Sequence, residues 1–523
     1  MIFWRVKSLD AILATAEKKK LHRSLGPLQL TLLGIGAIIG TGIFVLTAEA
    51  AQKAGPGMML SFVIASFVCT VAALCYSELS SMVPVSGSAY TYSYAVLGEL
   101  IAWLVGWALM LEYSVAASAV AVGWSGYFVG LFQSSLGVEL PFALINGPFA
   151  GGIINLPAVF ICLLVIGLLV IGTRESATFN AILVAVKVAA LMLFIALTIP
   201  AASIDNFQPF LPLGEAGVIA AASSIFFAYV GFDAVSTAAE ETKNPQRNVP
   251  IGLISSLGIC TVFYLLISVG AIGAVGAQPL MDATGKNLAP GSLMLAEQCQ
   301  SLAAIGQQPL VCSREALAQV LREIGWEKIG NLLGLTAFLA LPSVILMMLF
   351  GQTRIFFVMS RDGLLPEALS RIHPRFKTPH IVTYVTGLGV TIAAAFLPVG
   401  KLADISNSGT LFAFMVVAFA VMILRIKDKS RARPFRTPGI WLVGPLAVGG
   451  CITLFLFLPM DAKLVFPIWS GIGLIFYFFY GYRKSHVGLG IDTPVGGENI
   501  ISPVRPLADY DQSEQQPVIK SKG

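Results

Sequence analysis

Charge is scarce in this 523-residue chain, where Asp, Glu, Lys and Arg make up 12% of residues against about 25% in ordinary soluble domains. With 56% of residues hydrophobic and a mean hydropathy of +0.82, the sequence reads as an integral membrane protein, which excludes water-soluble enzyme classes. The four histidines and seven cysteines show neither a CxxC pair nor metal-ligand spacing, so no metal or cofactor is expected. Cys69, Cys75, Cys162, Cys260 and Cys451 lie in apolar runs and read as small core residues. No nucleophile–base pair is visible, so the chain is not read as an enzyme, and no nucleic-acid partner is expected. The N-terminus lacks the continuous apolar core and small-residue cleavage site of a signal peptide.

Long apolar runs are what the chain has instead. Taken as bilayer-crossing helices they number twelve, from 28–52 and 58–83 to 464–482, and define an all-α polytopic membrane protein. An even number puts both termini on one face. With that face cytoplasmic, 25 of the 33 Lys and Arg fall in cytoplasmic segments, seven fall in outer loops, and Lys187 lies within a span. This is the asymmetry the positive-inside rule requires, and it sets the orientation; the membrane expected is a plasma or inner cell membrane. Segment 1–27 is basic, and its Ile2, Phe3, Trp4, Leu9, Ile12 and Leu13 suit a short amphipathic helix on the cytoplasmic surface. The longest outer loop, 277–329, contains Cys299 and Cys312, which are either disulfide partners or two unpaired thiols. The tail, 483–523, is rich in Gly, Pro, Gln and acidic residues and is expected to be disordered.

Two of the runs are interrupted. Gly40-Thr41-Gly42 sits at the centre of the first, inside Gly36–Phe44, where glycine is a poor helix former. Unwinding there frees backbone groups at membrane depth, at a cost of several kcal/mol unless something binds them. Amides at a half-helix N-terminus suit a carboxylate and freed carbonyls suit an ammonium group, so backbone alone can hold both charges of a free amino acid. The plain alternative is a glycine packing face between helices. Val230-Gly231-Phe232-Asp233 interrupts the sixth run, 216–240. Five helices separate the two breaks, an odd number, so a second copy of a five-helix unit enters the membrane upside down. The repeats are 28–200 and 216–424, with the helices of 439–482 outside them, and matched breaks in inverted halves point to a transporter site.

The motifs narrow this further. Residues 24–53, Gly55-Pro56-Gly57, Tyr76-Ser77-Glu78-Leu79 and Pro84 to Tyr90 resemble the amino acid–polyamine–organocation transporter superfamily. Phe227 to Asp233, Lys243-Asn244-Pro245-Gln246-Arg247, Gly351 to Arg354 and Ser360 to Pro366 resemble its cationic amino acid transporter family. The resemblance covers about residues 20 to 480 and implies the leucine-transporter-type five-plus-five inverted repeat with broken helices 1 and 6. Some members carry fourteen spans, for which this chain has no room. It also implies a substrate carboxylate on the Thr41 and Gly42 amides and an ammonium group on the carbonyls of Ile38, Phe227 and Val230. Phe227 would close over the substrate.

Three ionisable residues lie deep in spans. Lys187 is about 13 Å into the fifth run at 1.5 Å per residue, near the middle of a ~30 Å core. A lysine there costs roughly 2.5–3.5 kcal/mol on insertion scales, and snorkelling relieves only residues near helix ends. Burial disfavours the charged ammonium, which opens reversible protonation near neutral pH. By the resemblance, Lys187 stands where relatives hold a coupling sodium ion and reaches the Gly36 carbonyl. Glu112 and Asp233 are either buried neutral acids or, ionised, carboxylates favouring a cationic side chain; the resemblance sets Asp233 beside the substrate and Glu112 on the cavity wall. Glu78, Glu240 and Glu241 read as structural partners for loop Arg and Lys. The reading is a secondary transporter importing cationic amino acids, neutral ones included as an option, with the proton gradient as energy source and free amino acid and lipid as partners. The alternatives are an amino acid/polyamine exchanger and a transport-inactive nutrient sensor of the same fold. A small membrane-protein partner or homo-oligomer is left open.

Overall fold

The computed structural model describes residues 5–7, 23, 25–85, 87–138, 140–172, 177–376 and 378–491. Most of the amphipathic segment expected before residue 27, and the tail beyond 491, lie outside the described residues. Among the described residues there are helices, turns and three isolated β-bridges but no strand.

The first apolar run folds as three pieces: α1 (Pro27–Ile38), the single turn α2 (Thr41–Phe44) and α3 (Leu46–Ala54). Then come α4 (Met58–Met82), α5 (Ser88–Val96) and the long α6 (Glu99–Leu136). α7 (Leu156–Ile171) starts where the Asn155 side chain accepts the Ala158 amide, with Pro157 in the first turn, and α8 (Ala177–Thr198) follows. The sixth run begins as α9 (Gly214–Ile225), tightens into a 3₁₀ turn at Phe226–Tyr229 and regains one helical turn at Ala234–Thr237. α10 (Pro245–Val275), α11 (Leu293–Ala304), α12 (Ala316–Glu323) and α13 (Glu327–Arg361) lead to α14 (His380–Phe396), α15 (Val399–Lys427), α16 (Ile440–Phe457) and α17 (Met460–Phe476). Among the described residues nine helices are long and apolar enough to cross a membrane, and Pro27–Ile38, Leu156–Ile171 and His380–Phe396 are shorter apolar helices. The chain is a multi-pass membrane protein.

α6 is the spine, packed along α13 and α15. α17 is clasped to it by tryptophan: the Trp107 indole donates to the Trp469 carbonyl, the Trp469 indole donates back to the Trp107 carbonyl, both at 2.8 Å, and the rings stack at 4.8 Å. Each half-buried indole thereby gains an acceptor. In the 277–329 loop, Cys299 and Cys312 are joined by a disulfide. Gln52, in the last turn of α3, holds the same loop: its side-chain amide donates to the carbonyls of Leu280 and Leu288 and accepts the Leu280 amide, each at 2.9 Å. Burial pushes the Glu315 carboxyl in this loop up, and its ion pair with Arg322 opposes the shift.

The start of the tail differs from expectation. Residues 485–491 fold onto the helix ends, with the Ser485 hydroxyl bonded to Glu99 and the His486 amide donating to the Asp362 carbonyl at 3.1 Å. The physical reason is Glu99, only 2% exposed, which needs donors and finds them in Tyr94, Tyr477, Ser485 and Arg5.

Glu78 and Glu241 pair with cations, though mostly with ones near helix ends rather than in loops: Glu241 with Arg354 of α13 at 3.4 Å, Glu78 with Arg425 of α15 and with Arg433 of the loop after it. Glu78, at the end of α4, accepts two 2.7 Å bonds from Arg425 and one of 2.9 Å from the Thr437 amide, with Arg433 at 3.2 Å. Glu78→Ala strands two buried guanidinium groups and should cost about 3–5 kcal/mol. Lys401→Ala, which breaks the exposed pair with Asp461, should cost under about 1 kcal/mol. Thermal unfolding of the purified variants in detergent measures both.

Candidate functional site

The two interruptions lie against each other. Ile39 and Gly40 leave the helical path between α1 and α2, and Gly231, at φ +109°, turns the chain after the Phe226–Tyr229 coil in a conformation that favours glycine. A Cβ on Gly42 would stand 2.3 Å from the Ala228 Cα, and a Cβ on Gly231 would stand 3.2 Å from the Ala37 carbonyl. At Gly42 there is no space for a side chain, while at Gly231 the positive φ is the stronger reason for glycine and the space is tight. A methyl on Gly40 would meet Val344 at 3.4 Å, an ordinary contact, so the demand for glycine on grounds of space falls on Gly42.

Two side chains hold the freed carbonyls. Lys187, on α8 and 1% exposed, donates from Nζ to the carbonyls of Gly36 at 3.2 Å and Ile39 at 3.1 Å. The hydroxyl of Tyr264, on α10, stands 2.8 Å from the Ile38 carbonyl and 3.0 Å from the Ala228 carbonyl, its one proton shared between both breaks. Sequence reading reached Lys187 and missed Tyr264. The available signal was a hydroxyl in the apolar stretch Val262–Ile267 that must find a partner when buried.

The remaining candidates are brought to the same region with distinct surroundings. Thr41 is the first residue of α2, whose first-turn amides have no intrahelical acceptor, and its hydroxyl packs toward Gly123 of α6. The Phe227 carbonyl accepts the Val230 amide at 3.1 Å, and both side chains are buried. Asp233 accepts from the Tyr113 hydroxyl at 3.0 Å, leaving Oδ1 without a hydrogen bond among the described residues. Both carboxylate oxygens of Glu112 are likewise without one, while its backbone carbonyl accepts from Ser406 of α15 at 3.2 Å. Gln352, from the quoted Gly351–Arg354 motif, donates to the Ser114 hydroxyl and joins α13 to α6.

The arrangement presents two broken helices in contact, uncapped amides at one end, carbonyls at the other and a buried lysine bonded to the first break. Against protein families, residues 25–481 match the amino acid permease model. The chain belongs to the amino acid permease family. Curated relatives include the branched-chain amino acid permease BcaP of Bacillus subtilis, 43% identical over 92% of this chain and 98% of that protein. The methylthioribose transporter of Bacillus subtilis is 41% identical over the same shares, and human cationic amino acid transporter 4 is 33% identical over 82% of this chain and 63% of its own length. This permease is thus similar to transporters, within a family that includes the cationic amino acid transporters resembled by its motifs.

Gly42→Val drives a side chain into the Ala228 backbone and should lower substrate affinity at least tenfold, whereas Gly40→Ala should stay within about threefold. Equilibrium binding to purified, monodisperse variants distinguishes them.

Proposed function

We propose that this permease imports free amino acids with protons by alternating access, binding substrate where the two broken helices meet. The observation that carries this reading is Lys187 bonded to the Gly36 and Ile39 carbonyls. A fixed cation on the freed carbonyls does the work a coupling metal ion would do, and unlike a metal ion it can lose its charge by releasing a proton. Protonated, Lys187 ties α8 to α1 and holds the inner path shut. Losing the proton weakens that tie and lets α1 swing for release.

In this reading the substrate carboxylate meets the Thr41 and Gly42 amides, and its ammonium group meets the carbonyls of Ile38, Phe227 and Val230. Phe227 closes over the bound molecule. The chain takes the twelve-helix, five-plus-five inverted-repeat architecture in a cell membrane, with both termini cytoplasmic and the 277–329 loop outside. Glu112 and Asp233 supply negative charge for a cationic side chain, which favours arginine and lysine. A second reading, branched-chain substrates, is favoured by the likeness to BcaP and by the hydrogen bond that already occupies Asp233 Oδ2. Uptake of labelled arginine, lysine, leucine, isoleucine and methylthioribose into proteoliposomes, with and without an inward proton gradient, separates the readings. Accumulation of methylthioribose alone overturns the amino acid assignment.

Lys187→Ala should abolish gradient-driven accumulation while leaving substrate binding within about tenfold, and unsubstituted protein should accumulate substrate without sodium. Uptake against an imposed pH gradient in sodium-free buffer, with an ionophore control, is the measurement. Asp233→Asn should weaken arginine and lysine at least fivefold more than leucine if the carboxylate serves a cationic side chain. Competition binding with the three amino acids reads this out, and an equal loss assigns Asp233 to structure.

A further inference from the structure

The segment that spans the last turn of α15 and the connection to α16 carries more positive charge than its acids balance. From Arg425 to Arg436 it holds six cations, at 425, 427, 429, 431, 433 and 436, and one acid, Asp428. Glu78 of α4 supplies a second acid, paired with Arg425 at 2.7 Å and Arg433 at 3.2 Å, while Asp428 faces Arg431 at 3.6 Å. Six positive charges against two negative leave a surplus of four. Lys429 and Arg436 are exposed, and neither side chain has an ion-pair partner among the described residues. The segment is nevertheless fixed in place. Besides the Glu78 pairs, the Phe435 amide donates to the Ser81 hydroxyl at 3.2 Å and the Thr437 hydroxyl donates to the Leu74 carbonyl at 2.8 Å. Arg433 also reaches back to the Leu424 carbonyl at 3.2 Å. Its cations are therefore presented from a firm base on α4.

What flanks the segment says where it lies. Ile426, at the end of α15, is 59% exposed, and Trp441 and Leu442, at the start of α16, are 62% and 67% exposed. Both helices are long and apolar enough to cross a membrane, so large apolar side chains turned outward on them face lipid, and tryptophan settles at headgroup level. The basic segment thus sits at the perimeter of the molecule, at the depth of lipid phosphates. Clusters of about four to eight Lys and Arg immediately beside a membrane helix attract anionic lipid, and the attraction fades within a Debye length of the surface. We propose that this segment is a binding site for an anionic phospholipid, with Lys429 and Arg436 on the headgroup phosphate and an acyl chain along Ile426, Trp441 and Leu442. The orientation proposed above decides only the leaflet, the cytoplasmic one. Bound there, the lipid fastens the α15–α16 corner to the membrane surface and, through Glu78, the end of α4 with it.

The test is native mass spectrometry of the purified full chain in detergent, titrated with dioleoylphosphatidylglycerol or dioleoylphosphatidylcholine. The unsubstituted chain should bind its first phosphatidylglycerol at least tenfold more tightly than phosphatidylcholine. Lys429→Gln combined with Arg436→Gln should lower phosphatidylglycerol affinity at least fivefold and leave phosphatidylcholine within twofold. Lys429→Arg combined with Arg436→Lys, which keeps both charges, should bind phosphatidylglycerol within twofold of the unsubstituted chain. The control removes two exposed cations elsewhere, Lys243→Gln with Arg371→Gln, and should also stay within twofold. All four positions are exposed, so each variant should fold and run as a monodisperse species. Equal affinity for the two lipids overturns the proposal, as does a smaller loss in the Lys429 and Arg436 variant or the same loss in the control. Displacement of phosphatidylglycerol by an equimolar amount of inorganic phosphate assigns the segment to a soluble anion and overturns the lipid. Lipid binding is read without transport, so absence of amino acid uptake overturns the proposed function and leaves this site standing.

Discussion

A backbone that leaves the helical path inside a bilayer must find partners for its amides and carbonyls, because hydrocarbon supplies none. The structure depends on how that debt is met at two crossing points. Gly42 against Ala228 and Gly231 against Ala37 bring the two breaks into close contact, with no space for a side chain at Gly42. Lys187 and Tyr264 reach in from α8 and α10 to carbonyls of the first break, and Tyr264 spans to the second. The hydroxyl makes the two breaks neighbours in energy as well as in space. The lysine adds a positively charged donor to the first break.

Around this centre the molecule divides into elements held firmly and elements held by a few polar contacts. The α6–α17 clasp combines stacked indoles with reciprocal indole-to-carbonyl bonds, and Glu78 fastens the Arg425–Thr437 segment to α4 through three donors. The half-helices are tied differently. α1 is pinned at its start by the backbone pairing of Leu25 with Glu241 and Lys243 and at its end by Lys187, and α3 is held by Glu49, Gln52 and Lys53. Polar ties of this kind can part and re-form without leaving a dry cavity, which suits the movement proposed for these segments.

What was legible in the sequence follows from the same physics. Glycines in a long apolar run violate helix propensity where lipid punishes it, so both breaks could be located to within a residue or two. Lys187 stood out because its cost had no local remedy, and Cys299 with Cys312 stood out as thiols in one polar loop. Tyr264 did not, since an aromatic within an apolar stretch has the pattern of ordinary core. Lys53 and Asp404 were hidden because each lies near a span end, where charge is cheap, and only the folded chain shows them buried together. Residues 485–491 depart from the expectation for a related reason: the Gly, Pro, Gln and acidic residues of the tail as a whole suggest solvent, and nothing local announces that Glu99, 386 residues before Ser485, takes the Ser485 hydroxyl as a partner. Partners distant in the chain are the information that residue pattern does not carry.

The hold of Gln52 on the loop has a consequence for observing this protein at work. The side-chain amide is bonded to both sides of the hairpin Leu280–Leu288 while its own backbone belongs to α3. Rotation of α3 must either drag the hairpin along or release it, so the amide proton of residue 280, which donates to the Gln52 side chain, inherits the state of the helix that holds it. Deuterium uptake in this short peripheral peptide becomes a clock hand for the hidden cycle, readable by mass spectrometry without any label near the substrate.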